Sequence, residues 1–223
     1  YGIDVYAVKI ADVAILSAES KVNDEVNSII SYNKKVSAKE RFDGISADLE
    51  AHTAKSGVTV GGTKYTWNSS TNYGKGGDND MLLKYTIDRL ASAGQLCHTN
   101  SLKLNEAYWY NYQIYCDNGQ LNYGAADQFL AHCDWLVTMA YMATTEAVWN
   151  KSEPVLKAAS AKKSVSICLK VKINEANSDS MQPKGWQYLL DACKTLLKKG
   201  QAYDSFRGLD QFTYEGLEQM MNN

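Results

Sequence analysis

The chain has 223 residues, of which 45% are hydrophobic and 22% charged, and its formal net charge at pH 7 is −2. This composition is typical of a globular protein with one substantial core and excludes a disordered chain. The near-neutral charge argues against a nucleic-acid-binding surface, and no apolar run approaches the ~20 residues of a membrane span. We therefore expect a single domain over residues 1–223.

The predicted elements alternate between strands and helices along the whole chain. Strands are expected over residues 3–10, 42–50, 102–110, 135–141, 164–171 and 207–214. Helices are expected over residues 20–38, 79–93, 124–132, 145–161, 185–199 and 215–221. Such alternation is typical of an α/β fold with a parallel sheet. Six units are two short of a complete barrel, so we predict a (β/α)8 TIM-type barrel whose first two units are either missing or not shown by this sequence. A six-stranded doubly wound sheet is the alternative.

Particular residues are expected to set the ends of these helices. Ser20 and Asp78 are predicted N-caps, while Gly94 and Gly200 are predicted to end their helices. Pro154 is expected to kink or split the helix over residues 145–161 because it lacks a backbone N–H.

A long insertion rich in Gly, Ser, Thr and Asn covers residues 51–77 and includes the possible hairpin VTVGGTKYTW. Loops of this length in compact domains are often functional. Because the insertion directly follows Glu50, we expect it to wall a cleft.

The strand at residues 42–50 carries acidic residues that a fully buried strand would not. Side chains alternate between the two faces of a strand, so Ser46, Asp48 and Glu50 share one face and Asp43 lies on the other. Burying unpaired charge is costly. We therefore predict that this end of the strand opens into a wet cleft, at the carboxyl ends of the strands.

The stretch from Asp43 to Glu50 resembles the fourth-strand signature D-G-x-D-x-D-x-E of chitinase-type glycoside hydrolases. It matches at Asp43, Gly44, Asp48 and Glu50 and departs at Ser46, where the family has an acid. A later segment, Met139-Ala140-Tyr141, resembles the family's Met-x-Tyr strand end. The resemblance implies that these segments are strands three to eight of a (β/α)8 barrel. It also implies an O-glycosyl hydrolase that acts on an oligo- or polysaccharide.

Glycosidic cleavage needs an acid that protonates the leaving oxygen, and Glu50 is the predicted general acid. Asp48 lies two residues earlier on the same face, roughly 6.5 Å away along the strand. Its like charge would help Glu50 to hold a proton. The resemblance further implies that Asp48 orients a substrate acetamide that acts as nucleophile, and that Tyr141 helps to hold this acetamide. The loss of a charge at Ser46 implies a slow or inactive enzyme.

Other residues are weaker candidates for the same site. Glu106 is a candidate second acid, as are Asp210 and Glu215, although Asp210 could instead pair with Arg207. Asp48 and Glu50 could themselves pair with a lysine such as Lys170. The predicted substrate-binding residues, whose aromatic members could equally be packing residues, are Glu106, Trp109, Tyr110, Trp149 and Tyr214.

The cysteines and histidines show no metal-binding spacing. There is no C-x-x-C pair among the five cysteines, and His52 and His98 are expected at the surface or rim. We expect no metal and no organic cofactor.

The sequons Asn68-Ser69-Ser70 and Asn150-Lys151-Ser152 favour a secreted or extracellular protein. The sequence does not fix the oligomeric state.

Two further functions stay open at this point. The first is a carbohydrate-binding or structural barrel that has lost turnover, which the departure at Ser46 favours. The second is a phosphate-sugar lyase or isomerase, since a barrel fold does not fix its function.

Overall fold

The computed structural model describes residues 3–68, 74–174 and 178–222. The strands in this part of the chain are β1 (Tyr6–Lys9), β2 (Gly44–Ala47), β3 (Val58–Val60), β4 (Thr63–Tyr65), β5 (Lys103–Tyr108), β6 (Trp135–Met139), β7 (Val165–Lys170) and β8 (Phe206–Phe212). The α-helices are α1 (Glu19–Asn33), α2 (Asp78–Thr99), α3 (Asn111–Asp117), α4 (Ala126–Leu130), α5 (Thr145–Ala158), α6 (Trp186–Gly200) and α7 (Tyr214–Asn222).

Six strands form one parallel sheet in the order β1-β2-β5-β6-β7-β8. This order follows the chain without a reversal, whereas a doubly wound sheet reverses its strand order at a switch point. The predicted parallel α/β sheet is therefore confirmed, and the doubly wound alternative is wrong. The strands β3 and β4 form a separate antiparallel hairpin, as predicted for the segment VTVGGTKYTW.

The six-stranded sheet is curved like the wall of a barrel. Three strand spacings separate β1 from β6, which would put them ~14 Å apart in a flat sheet. Yet the rings of Tyr6 on β1 and Trp135 on β6 meet edge to face with their centroids 5.2 Å apart. The concave face of the sheet therefore brings side chains from distant strands together.

Alternation along each strand separates a packed outer face from an inner face that carries both polar and apolar side chains. Residues on the outer face are fully buried beneath the helices, for example Ile45, Leu104, Leu136, Ile167 and Leu169. These residues belong to the hydrophobic core between sheet and helices. Positions in between, such as Ser46 and Asn105, face inward, which leaves the inner face free to form a site.

The ends of several helices differ from their predicted positions. Helix α2 runs through Gly94 to Thr99, and a Cβ at Gly94 would lie 2.1 Å from the carbonyl oxygen of His132. Gly94 is therefore a close-packing residue and not a helix end. Helix α6 ends at Gly200, as predicted, and a Cβ there would lie 2.7 Å from the Phe206 ring. Helix α5 continues through Pro154, so it is not split there.

The predicted N-caps are also one or two residues out of place, because Ala18 precedes α1 and Gly77 precedes α2. Helix α3 was not predicted at all. Among the described residues, none of the helices has both the length and the apolarity needed to cross a membrane.

The insertion at residues 51–77 begins with a short 3-10 turn, Ala51–Thr53, and continues into the β3–β4 hairpin. Val58 and Val60 of the hairpin are buried, and β3 packs against the 3-10 turn at Val13–Ser17. The described parts of the insertion, residues 51–68 and 74–77, do not line the cavity on the inner face of the sheet. Residues 69–73, including part of the first sequon, lie outside the described residues.

Candidate active site

A cavity of about 670 Å³ occupies the concave face of the sheet. It brings together Glu50, Asp48 and Tyr141, the three residues predicted to be catalytic. The remaining lining residues come from all six parallel strands or follow them directly: Tyr6, Val8, Ser46, Asn105, Ala107, Trp135, Val137, Met139, Cys168, Arg207, Asp210, Gln211 and Phe212.

The two acids lie just beyond the carboxyl end of β2, because this strand ends at Ala47. Hydrogen bonds from two consecutive backbone N–H groups fix this segment. Asp48 donates its N–H to the carbonyl of Ile10 at 3.4 Å, and Leu49 donates its N–H to Oε1 of Glu106 at 3.1 Å. Leu49 is fully buried. The predicted alternation is confirmed, since Asp48 and Glu50 line the cavity while Leu49 lies in the core.

The surroundings of the two acids favour their protonated forms. Burial raises the pKa of Asp48 above its ordinary value. Burial also raises the pKa of Glu50, and the negative charge of Asp48 adds to this effect. Oδ1 of Asp48 is buried and has no hydrogen-bond partner among the described residues. A raised pKa lets a carboxyl group hold its proton to higher pH, as a general acid requires.

A neutral pair stands where the chitinase-type signature has an acid. The Ser46 hydroxyl donates a 2.7 Å hydrogen bond to the side-chain oxygen of Asn105 on the neighbouring strand. Both residues line the cavity. This part of the cavity therefore lacks the carboxylate that the signature would place beside Asp48.

Tyr141 follows strand β6 at the cavity wall. Its ring stacks on Phe212 at a centroid distance of 5.9 Å, and the ammonium group of Lys170 lies 5.2 Å from the ring centre. The thiol of Cys168 lies beside its hydroxyl. Burial, and then the neighbouring Cys168, raise the pKa of Tyr141 far above its ordinary value. The phenol therefore keeps its proton and can donate it in a hydrogen bond.

Glu106 is only 1% exposed and does not line the cavity. It lies on the outer face of β5, behind Asp48 and Glu50, and its Oε2 has no hydrogen-bond partner among the described residues. Burial raises the pKa of Glu106 well above its ordinary value, and the charges of Asp48 and Glu50 act in the same direction. The structure thus gives Glu106 no access to a substrate, in contrast to the contact predicted from the sequence.

The predicted aromatic binding residues also lie outside the cavity lining. Trp109 packs against His52 at a centroid distance of 4.1 Å. Tyr110 is 8% exposed and lies beneath Lys151, and Trp149 is 8% exposed and packs on Tyr203. Tyr214 begins α7 and is 75% exposed.

Asp210 lines the cavity and accepts a hydrogen bond from the hydroxyl of Ser166. Its predicted partner Arg207 lies over the ring of Trp135, 4.2 Å from the ring centre. Glu215, the other candidate acid at this end of the chain, is exposed and is not among the lining residues.

Inward-facing residues that sequence reasoning missed also shape the cavity. The aromatic floor is formed by Tyr6 and Trp135, and their positions could have been found by counting alternate residues along each predicted strand. In the described part of the chain, no three His, Cys, Asp or Glu side chains cluster as metal ligands would.

At the level of sequence, neither a protein-family model nor a curated protein matches the chain. Solved structures do resemble it. A family 18 chitinase from Pseudoalteromonas aurantia matches with a TM-score of 0.58 and 13% identity, covering 93% of this chain and 69% of the chitinase. A fungal endo-β-N-acetylglucosaminidase of the same family matches with a TM-score of 0.56 and 10% identity, covering 96% of this chain and 65% of that one.

A third structure, a chitinase from Chromobacterium violaceum, matches with a TM-score of 0.53 and 12% identity over 95% of this chain and 74% of the chitinase. The chain thus spans about two thirds to three quarters of these neighbours. The likeness shows that its fold is the chitinase-type (β/α)8 glycoside hydrolase fold, represented here by six parallel strands. The resemblance inferred from residues 43–50 is confirmed at the level of the fold.

Proposed function

We propose that the protein is a glycoside hydrolase that cleaves an oligo- or polysaccharide containing N-acetylated sugars. One observation carries the proposal: Asp48 and Glu50 line one cavity with Tyr141 at the carboxyl ends of the strands. Active sites of (β/α)8 enzymes lie at this end of the barrel. The structural neighbours described above are glycoside hydrolases, which supports the same reaction class.

In this proposal, Glu50 is the general acid. Its proton passes to the glycosidic oxygen as the bond between that oxygen and the anomeric carbon breaks. The raised pKa of Glu50 supports this role, because the acid must be protonated before the reaction. The resemblance to chitinase-type enzymes suggests that the substrate's acetamide oxygen attacks the anomeric carbon, with Asp48 orienting the acetamide.

Tyr141 supplies a hydrogen bond to the reacting centre. Its phenol is held in a defined orientation by the stacked ring of Phe212, and its raised pKa keeps the donor proton in place. A donor fixed before the reaction stabilises developing charge without reorganisation.

A second candidate function is a carbohydrate-binding barrel without turnover. The neutral Ser46–Asn105 pair favours it, because the signature's acid is missing beside Asp48.

A secreted or extracellular location is a further proposal. The second sequon supports it, because Asn150 lies exposed on α5.

The test is a hydrolysis and binding screen of the wild-type protein and Glu50→Gln on β-linked N-acetylglucosamine oligosaccharides and on neutral oligosaccharides. We expect the wild type to cleave the N-acetylated series and Glu50→Gln to lose about 100-fold or more in kcat, the scale of a general acid. Binding of the oligosaccharides without cleavage by the wild type would reject the hydrolase and support the second candidate.

A further inference from the structure

His52 follows the predicted acid Glu50 by two residues and is not the isolated surface residue expected from the sequence. Its ring stacks on Trp109 with a centroid distance of 4.1 Å and an angle of 22° between the planes. Two further rings meet its edges, Tyr112 at 5.8 Å and Trp67 at 6.4 Å. The imidazole is therefore held in one orientation by aromatic packing.

The hydroxyl of Tyr112 defines which nitrogen of His52 carries the hydrogen. This hydroxyl accepts the backbone N–H of His52 at 3.2 Å and lies 2.9 Å from its Nδ1. Tyr112 is 1% exposed, and a buried hydroxyl hydrogen needs an acceptor. Among the described residues, Nδ1 is the acceptor within reach, so Tyr112 donates to Nδ1 and the ring hydrogen lies on Nε2.

The other ring nitrogen faces Glu50. Nε2 of His52 lies 3.6 Å from Oε1 of Glu50, slightly beyond hydrogen-bond length. Contacts of this kind are often long in an empty active site and shorten when substrate binds. An N–H donor at Oε1 would leave Oε2 as the oxygen that carries the acid's proton.

We propose that His52 is a positioning residue for Glu50: its neutral imidazole, fixed by Tyr112 and Trp109, directs Nε2–H at Oε1 and so turns the protonated Oε2 towards the cavity. The proposal rests on the proposed role of Glu50 as general acid. The imidazole also stabilises the carboxylate that Glu50 becomes after it has given up its proton.

Charged and titratable groups around His52 agree with a neutral ring. Burial, together with the positive charge of Lys55, lowers the pKa of His52 to about 4. Burial raises the pKa of Tyr112 well above its ordinary value, so its hydroxyl keeps its proton. The acids near Glu50 are Asp48 in the cavity and Glu106 behind it. The ring is thus a neutral donor above about pH 4 and not a cation that pairs with Glu50.

The test compares His52→Phe, which keeps an aromatic ring on Trp109 but has no N–H, with His52→Gln, whose amide can replace Nε2–H. His98→Phe is the matched control, because His98 is exposed and pairs with Asp134 away from the cavity. Three quantities are measured: the ¹⁵N tautomer spectrum of His52 in the wild type and Tyr112→Phe, the titration of the Glu50 carboxyl by ¹³C NMR, and kcat and KM.

We expect a neutral Nε2–H spectrum in the wild type and its loss in Tyr112→Phe. In His52→Phe the pKa of Glu50 should rise, because its carboxylate loses a donor, and kcat should fall about tenfold with KM unchanged, as for one lost hydrogen bond to a charged group. His52→Gln should restore both, and His98→Phe should match the wild type.

An unchanged Glu50 titration in His52→Phe, or an Nδ1–H tautomer in the wild type, would overturn the inference. If the wild type does not hydrolyse sugars but the Glu50 titration still shifts, the proposed function fails and the contact between His52 and Glu50 stands.

Discussion

Leu49 donates its backbone N–H to Oε1 of Glu106 at 3.1 Å, which places a buried carboxyl group directly behind the two acids of the cavity. Glu106 lies on the outer face of β5, and its second oxygen has no hydrogen-bond partner among the described residues. Burial holds its pKa well above the ordinary value. The folded protein therefore favours a protonated Glu106, which keeps a third negative charge away from Asp48 and Glu50.

This arrangement predicts that Glu106→Gln stabilises the protein at high pH more than at low pH. The folded state binds the Glu106 proton more tightly than the unfolded state does, so the wild type loses stability as the pH rises through the unfolded pKa. Glutamine resembles the protonated acid and can still accept the Leu49 N–H. Urea unfolding at pH 4 and pH 8 should show a larger stabilising difference at pH 8. If Glu106→Gln changes the free energy of unfolding equally at pH 4 and pH 8, the raised pKa of Glu106 is contradicted.

The charge of Asp48 predicts a shift in the pH dependence of turnover. A general acid works in its protonated form, so kcat falls as the pH rises through the pKa of Glu50. Asp48→Asn removes a like charge that raises this pKa, so the alkaline limb should move to lower pH. Asp88→Asn, at a half-buried residue that pairs with Lys84 and does not line the cavity, should leave the limb in place. If the alkaline limb of Asp48→Asn stays in place or moves to higher pH, the charge of Asp48 does not raise the pKa of Glu50.

The neutral Ser46–Asn105 pair predicts that Ser46→Asp improves catalysis. The substitution would complete the acidic signature and place a carboxyl group beside Asp48, at a position that lines the cavity. We expect kcat on an N-acetylated oligosaccharide to rise about tenfold, or ~1.4 kcal/mol in activation free energy. Ser46→Asn, which adds similar bulk without an acid, should give no gain. A lower kcat for Ser46→Asp than for Ser46→Asn would reject this account of the departure.

The position of Tyr141 predicts a catalytic effect that is separate from stability. Tyr141→Phe keeps the ring on Phe212 but removes the hydroxyl, which lies beside Cys168. We expect kcat to fall about 100-fold, as when one preorganised donor is removed, while the melting temperature changes little. Tyr32→Phe, on the partly exposed side of α1, serves as the control. A loss in stability without a loss in kcat would make Tyr141 a packing residue.

Much of the fold was predictable because strands and helices differ in hydrophobic period. The six parallel strands were all predicted, although β2 is shorter than its predicted segment. Helix ends were less predictable, because a glycine can either end a helix or allow another part of the chain to pack closely against it. Gly94 allows α2 to approach the His132 carbonyl, and this tertiary contact has no signature in the local sequence.

The candidate site could be predicted in part, since alternation along one strand placed Asp48 and Glu50 on the same face. Burial depends on neighbouring strands and helices, which explains why the same reasoning failed for Glu106. From the sequence alone, Glu106 could lie on either face of β5. The register between β2 and β5 decides which face it occupies. The contact of His52 with Tyr112 joins residues 60 positions apart, so no local pattern could indicate it.

The most direct test of Glu50 as general acid compares two leaving groups. Wild type and Glu50→Gln are assayed on an N-acetylated oligosaccharide, whose leaving sugar oxygen needs a proton, and on its nitrophenyl glycoside, whose leaving group departs without one. We predict a loss of about 100-fold or more in kcat on the oligosaccharide and a much smaller loss on the nitrophenyl glycoside. Equal losses on both substrates, or full activity of Glu50→Gln on the oligosaccharide, would contradict the proposal.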